Sequence, residues 1–360
     1  MFRIFANLAS FALGDFVGQA VLVSSIKELF DDCELYVYYR QDRPYKDAVA
    51  ACISNAKLIY PVAHDGPGLA VEYFHAAQGR LGHAYANSPL DENQVFRSDL
   101  FLSGNVMLND AMLNAIPITT LRPPESIVGT RRDELVALGL DPERWVACVY
   151  WKEANYKYRG HHPARIIYDP APYIEVIRHI IEDLGGQVVR LGHPTPTRVP
   201  AMKGFVDLAQ IPDSEALQLF SVSVARFFIA SGSGPASYGP AFGVPTAVTD
   251  QNMCFGAWHP HDYILPQNIF YRGKLYRPPE AYDAGLLSVE GVPGIEFRRN
   301  STLQLVKATN EMFQSTTDCT GWRTLVTPPP PSPRPNAFTY PIPRSLRPEL
   351  LIPPSQRRKA

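Results

Sequence analysis

The chain has 360 residues, 46% hydrophobic and 19% charged, with 34 Lys and Arg against 35 Asp and Glu. The length suggests two domains, and the composition supports large cores and excludes a globally disordered chain. A formal net charge of −1 gives no whole-protein field for polyanions, so no nucleic-acid partner is expected.

Residues 1–23 have an apolar centre, but Asn7, Gly14-Asp15 and Gln19 interrupt it. The segment therefore reads as a first strand, Arg3 to Leu8, leading through a loop into a helix, and not as a signal peptide. Leu35 to Tyr39 and Leu58 to Val62 read as further strands, with a helix over Tyr45 to Asn55 between them. Leu121-Arg122-Pro123-Pro124-Glu125 reads as a linker, since paired prolines resist both helix and central strand. Trp145 to Tyr150 is a strand. Pro172 to Leu184 is a helix, with Ile174, Ile177, Ile180 and Ile181 at helical spacing and Gly185-Gly186 ending it. Val188 to Leu191 is the next strand, and Ser214 to Phe220 a helix capped by Asp213 or Ser214. Phe227 to Ala230 and Thr246 to Val248 complete four strands in the second half, and Thr302 to Phe313 forms a later helix.

Strands alternating with helices imply parallel sheets with crossover connections. The expected architecture is α/β, with two Rossmann-like domains facing each other across a cleft. The first spans 1–122, the second 126–326, and a Pro-rich basic tail occupies 327–360. The tail opens with a polyproline-II-like run, Pro328 to Pro331, and carries Arg334, Arg344, Arg347, Arg357, Arg358 and Lys359. It reads as a solvated strap, and its charge also fits a peripheral membrane or partner contact. No segment approaches ~20 uninterrupted apolar residues, so no membrane span is expected. The five cysteines (Cys33, Cys52, Cys148, Cys254 and Cys319) form no CxxC pair and read as reduced thiols of a cytoplasmic protein.

Ligands of open α/β sheets bind beyond the carboxyl ends of the strands, and this rule selects the polar residues that matter. Lys152 and Arg159 follow the strand at 145–150; Arg190 and His193 follow the next. Ser231-Gly232-Ser233-Gly234-Pro235 follows the third, and Asp250 the fourth. Backbone N–H groups and hydroxyls at a helix start, with cations nearby, suit a diphosphate. Trp151, Tyr156 and Tyr158 could stack a base, and Asp250 could accept sugar hydroxyls. Each residue also has a plainer use. Arg190 could pair with Glu182 or Asp183, His193 could hold the turn before Pro194, Asp250 could cap a turn, and the aromatics could pack between domains. In the first half, Gly14-Asp15 follows strand one, and His64-Asp65-Gly66-Pro67-Gly68 follows the strand at 58–62. The pattern leaves Asp15, His64 and Asp65 open as a general base on the acceptor side.

Other chemistries lack their motifs. There is no G-x-x-x-x-G-K-[ST], no G-x-G-x-x-G after a first strand with an acidic partner, and no G-x-S-x-G. No D-x-D motif occurs, so neither a metal nor a cofactor is implied.

Gly14-Asp15 near the start of two α/β halves resembles the GT-B glycosyltransferases, in particular the heptosyltransferase-like group. Several segments resemble a bacterial family of glycosyltransferases from surface-polysaccharide and secondary-metabolite clusters. They are Tyr38 to Tyr45, Tyr156 to Gly160, Val189 to Pro194, Pro212 to Ser214, Ala225 to Phe228 and Phe242 to Thr246. The resemblance covers most of residues 1–325. It implies a nucleotide-sugar donor held mainly by the C-terminal domain, metal-independent transfer, and Asp15 as the base. The acceptor would be a glycan, a lipid-linked sugar or a small molecule. Relatives commonly carry a His and an Arg where this chain has Tyr150-Trp151-Lys152. A GT-B-fold sugar-nucleotide epimerase and a non-catalytic sugar-nucleotide-binding subunit are the competing functional readings.

Overall fold

The computed structural model describes residues 1–8, 10, 12–63, 71–73, 84–87, 95–97, 99–103, 118–153, 166–194, 197–251, 262–276, 280–281, 284, 286, 294–316 and 321–323. Of the described residues, those up to Ile127 form one compact unit and those from Val128 onward a second.

The first unit runs β1 (Phe2–Leu8), α1 (Leu13–Lys27), β2 (Cys33–Gln41), α2 (Pro44–Ala51), β3 (Leu58–Ala63), β4 (Val71–Tyr73), β5 (Ala84–Asn87), β6 (Val95–Arg97) and β7 (Leu100–Ser103). Its main sheet has the order β3-β2-β1-β7, with every neighbouring pair parallel. Parallel strands need crossovers, and α1 and α2 supply two of them. Residues 16–26 of α1 are all buried, which explains why its apolar residues follow no single stripe. The helix expected to reach Asn55 stops at Ala51. The N–H groups of Cys52 and Ile53 bond to Val49 and Ala50, and the Asn55 amide instead donates to the Ser24 carbonyl and the Glu28 carboxylate. A small antiparallel sheet, β4-β5-β6, was not foreseen; its strands of three and four residues carry too little periodicity to read.

The division between the units falls within α3 (Glu125–Ala137), which begins one residue after Pro124. The second unit continues with β8 (Val146–Tyr150), α4 (Ala171–Glu182), β9 (Gln187–Leu191), β10 (Phe205–Asp207), α5 (Glu215–Ser223) and β11 (Phe227–Ser231). A 3-10 turn, Gly234–Ser237, leads into α6 (Tyr238–Ala241) and β12 (Thr246–Gln251). Then come β13 (Tyr263–Pro266), β14 (Asn268–Tyr271), β15 (Lys274–Tyr276), β16 (Ile295–Arg298) and α7 (Thr302–Gln314). The four strands expected here become a six-stranded parallel sheet, β10-β9-β8-β11-β12-β13, beside an antiparallel sheet, β15-β14-β16. The added strands have three or four residues each, too short for pattern alone.

β8, β9 and β11 are buried along their whole length, as strands covered on both faces must be, and so read as apolar runs. The isoleucine stripe of α4 (Ile177 and Ile180) packs with Ile229, Leu305 and Met312 in the core of this unit. Each such side chain, fully buried, stabilises by about 1.5–3 kcal/mol. Gly185 takes the left-handed conformation that ends α4, at φ 70°, and the Gly186 N–H closes the helix on the Ile180 carbonyl. At α7, Ser301 and Gln304 form a reciprocal capping box. The tail at 327–360 lies outside the described residues. Among the described residues, no helix is long and apolar enough to cross a membrane.

Candidate functional site

The order of the larger sheet reverses at its centre. From β8 the chain steps outward through β9 and β10; it then returns to β11 on the other side and steps outward through β12 and β13. The connections leaving β8 and β11 therefore diverge, which opens a crevice at the carboxyl ends of these two strands. The serine-glycine turn lies there.

Two contacts join the strand ends. The backbone N–H of Lys152 donates to the Ser231 hydroxyl at 3.0 Å, and the hydroxyls of Tyr150 and Ser233 lie 3.3 Å apart. Ser231, Lys152 and Tyr150 are buried, while Ser233, Gly234 and Pro235 are half-buried at the mouth of the turn. Not every backbone N–H of the Ser231–Pro235 turn is open to a ligand. The Gly232 N–H donates to the Thr249 carbonyl at 2.8 Å and continues the ladder between β11 and β12. The N–H groups left to the turn are those of Ser233 and Gly234, which have no partner among the described residues.

Arg190 is also placed differently from the expectation. It pairs with neither Glu182 nor Asp183. Its guanidinium donates to Glu153 Oε1 at 2.6 Å, Asp207 Oδ2 at 3.0 Å and the Thr197 carbonyl at 2.9 Å. It stacks on Trp151, with Cζ 4.0 Å from the ring centroid, and the Trp151 indole N–H donates to the same Glu153 oxygen. Arg190 is 2% exposed, so this is a buried cation held between two carboxylates. Burial raises the Asp207 pKa even though Arg190 pulls it down. The cluster ties the end of β8 to β9 and β10.

Asp250, at the end of β12, is held as tightly. Its backbone is left-handed at φ 48°. One carboxylate oxygen accepts the Asn300 N–H at 2.8 Å and the other the Tyr173 hydroxyl at 2.8 Å; the Asp250 N–H donates back to the Asn300 side chain. Burial raises the Asp250 pKa, and it raises that of Tyr173 well above the usual tyrosine value. Asp250 thus latches β12 to the start of α7 and to α4.

His193 is exposed, on a turn clamped from α5. The Gln218 amide accepts from the Gly192 N–H at 3.0 Å and donates to the Gly192 carbonyl at 2.8 Å. In the first unit, Asp15 is exposed in the first turn of α1, just beyond the end of β1, with Gly14 half-buried beside it. β1 lies inside its sheet between β2 and β7, where the order of that sheet also reverses. Arg159, His64 and Asp65 lie outside the described residues, as do Tyr156 and Tyr158.

Sequence reasoning missed the roles of Glu153, Asp207, Tyr173 and Asn300, partners brought together from separate elements.

No protein-family model matches this sequence, and no curated protein matches it. Solved structures do. A glycosyl transferase family 9 structure from Veillonella parvula DSM 2008 is similar with a TM-score of 0.56 at 12% identity, over 87% of this chain and 97% of that one. The chain has a GT-B glycosyltransferase fold. E. coli ADP-heptose LPS heptosyltransferase II is similar with a TM-score of 0.49 at 10% identity, over 87% of this chain and 99% of that one. Within the GT-B fold, the turn at Ser231–Pro235 belongs to the C-terminal unit and Asp15 to the N-terminal one.

Proposed function

We propose that this protein is a glycosyltransferase that moves a sugar from a nucleotide-sugar donor to a hydroxyl acceptor, with inversion and without a metal. The observation that carries the reading is the position of the Ser231–Pro235 turn at the reversal point of a parallel sheet in a GT-B fold. Two half-buried N–H groups, the Ser233 hydroxyl and the Lys152 chain segment meet there.

In this reading the acceptor hydroxyl oxygen attacks the anomeric carbon. The bond from that carbon to the diphosphate oxygen breaks, and its electron pair leaves with the nucleoside diphosphate. Asp15 takes the hydroxyl proton. The charge that develops is on the leaving diphosphate, where Ser233, Gly234, Lys152 and Arg159 act. His193 borders the donor site. Arg190 and Asp250 position the strand ends that carry these groups, Arg190 through Glu153 and Asp207, Asp250 through Tyr173 and Asn300. Gly14, His64 and Asp65 belong to the acceptor side, and the acceptor is a glycan, a lipid-linked sugar or a small molecule. The protein works in the cytoplasm, and its basic tail offers a peripheral membrane or partner contact.

A panel of nucleoside diphosphates tests the reading by thermal shift. A bound ligand at ~100 times its Kd stabilises by about 2.7 kcal/mol, and the active base is the one that raises Tm. Transfer is placed ahead of epimerisation; isomerisation of the donor without an acceptor would reverse that order. Donor binding without turnover over a broad acceptor panel would instead indicate a binding subunit.

A further inference from the structure

β9 ends at Leu191, in register with Tyr150 of β8, whose hydroxyl lies 3.3 Å from that of Ser233. Gly192 follows, beyond the last paired residue of both neighbouring strands, since β10 closes opposite Arg190. Its N–H and C=O therefore have no ladder to join. The Gln218 amide takes both, accepting the N–H at 3.0 Å and donating to the carbonyl at 2.8 Å, as a strand partner would.

The amide is itself held. It also donates to the Ser214 hydroxyl at 2.9 Å, and Ser214 donates to the Leu208 carbonyl at 2.9 Å. Gln218 is 8% exposed and Ser214 5%, so this chain of hydrogen bonds is buried. It joins two segments that stand apart in the sequence, Val189 to Pro194 and Pro212 to Ser214. Gly192 sits at φ 155°, and a Cβ there would meet the Ala209 Cβ at 3.0 Å, an approach that suits glycine. The residue that this clamp presents is His193, exposed at the carboxyl edge of the sheet.

We propose that Gln218 is a positioning residue of the donor site: it fixes the Gly192–His193 turn so that the His193 imidazole meets the nucleoside diphosphate. This rests on the nucleotide-sugar reading above. A contact group serves best when hydrogen bonds behind it lock its geometry before the ligand arrives. Neighbouring strands lie about 4.8 Å apart, so this turn stands about 10 Å from the end of β11, two strands away. A ligand with its phosphates at Ser231–Pro235 reaches it by extending across the end of β8, as a nucleoside diphosphate is long enough to do. An imidazole there donates to phosphate oxygens or bonds ribose hydroxyls.

The test is calorimetric titration of UDP, ADP and GDP into the full chain, Gln218→Met, His193→Ala and the double variant. For the nucleotide that binds best, each single variant should lose about three- to ten-fold in affinity. The double variant should bind no more weakly than His193→Ala, because the clamp acts through that side chain. A merely structural amide would lower Tm and leave this coupling at zero. Ser214→Ala removes one support of the same amide, and replaces Gln218→Met should that variant fail to fold. Wild-type affinity in a folded clamp variant or in His193→Ala overturns the assignment, as do losses that multiply in the double variant. A wild-type chain that binds none of the nucleotides overturns the nucleotide-sugar reading and this assignment with it.

Discussion

The Lys152 N–H donates to the Ser231 hydroxyl across 3.0 Å, joining β8 to β11 where the order of the sheet reverses. Ser231 thereby differs from Ser233, whose hydroxyl has Tyr150 as its one partner among the described residues. Ser231→Ala leaves a buried N–H without its acceptor and should cost about 1–3 kcal/mol of stability. Ser233→Ala should leave stability nearly unchanged and weaken donor binding. Denaturant melts paired with calorimetry on both variants separate the two serines; equal stability losses would contradict the assignment.

Arg190 is expected to act on stability first. Arg190→Ala leaves Glu153 and Asp207, both half-buried, without their shared cation, which should cost about 3–5 kcal/mol. Arg190→Lys restores a charge, but not the planar fork that reaches two carboxylates or the stacking on Trp151, and should fall between. Urea midpoints measure this. An Arg190→Ala variant as stable as wild type, with affinity alone reduced, would make Arg190 a direct phosphate ligand instead.

Asp250 gives a pH signature. Burial raises its pKa in the folded state, so the folded chain holds that proton more tightly than the unfolded chain. Its contribution to stability is therefore largest at low pH, and falls as pH rises from the ordinary carboxylate range through the raised folded pKa. Asp250→Asn removes this titration. The stability of wild type minus that of Asp250→Asn should decline from about pH 4 upward. Denaturation series at several pH values read the difference directly, and a pH-independent difference would contradict the raised pKa.

Asp15 is exposed in the first turn of α1. Asp15→Asn should fold as wild type, bind donor with unchanged affinity, and transfer sugar at least about 100-fold more slowly, the scale of a lost general base. Normal transfer by this variant would remove Asp15 from the mechanism and return attention to His64 and Asp65.

Much of the fold was readable because parallel strands buried on both faces leave plain apolar runs, as at Val146–Tyr150 and Phe227–Ser231. The strand-end rule likewise picked out the turn at Ser231–Pro235. What the rule could not divide was which polar groups at those ends are already paired. The carboxylates of Arg190 lie 37 residues before it and 17 after, and Asp250 meets Asn300 50 residues on. Local spacing pointed to Glu182 and Asp183 for Arg190, while the sheet order sets its real neighbours. β10 and β13 to β16 escaped for a related reason. Strands of three or four residues are fixed by the strands beside them and carry no period of their own.

The most direct measurement is the affinity of Gly234→Val for the preferred nucleoside diphosphate, by calorimetry. Gly234 opens the 3-10 turn, half-buried, with its N–H unpartnered among the described residues. A valine there puts a branched side chain at the mouth of the turn. If the turn cradles the donor diphosphate, affinity falls at least about ten-fold, about 1.4 kcal/mol, in a folded protein. Wild-type affinity in a folded Gly234→Val protein would contradict the cradle and the donor site built on it.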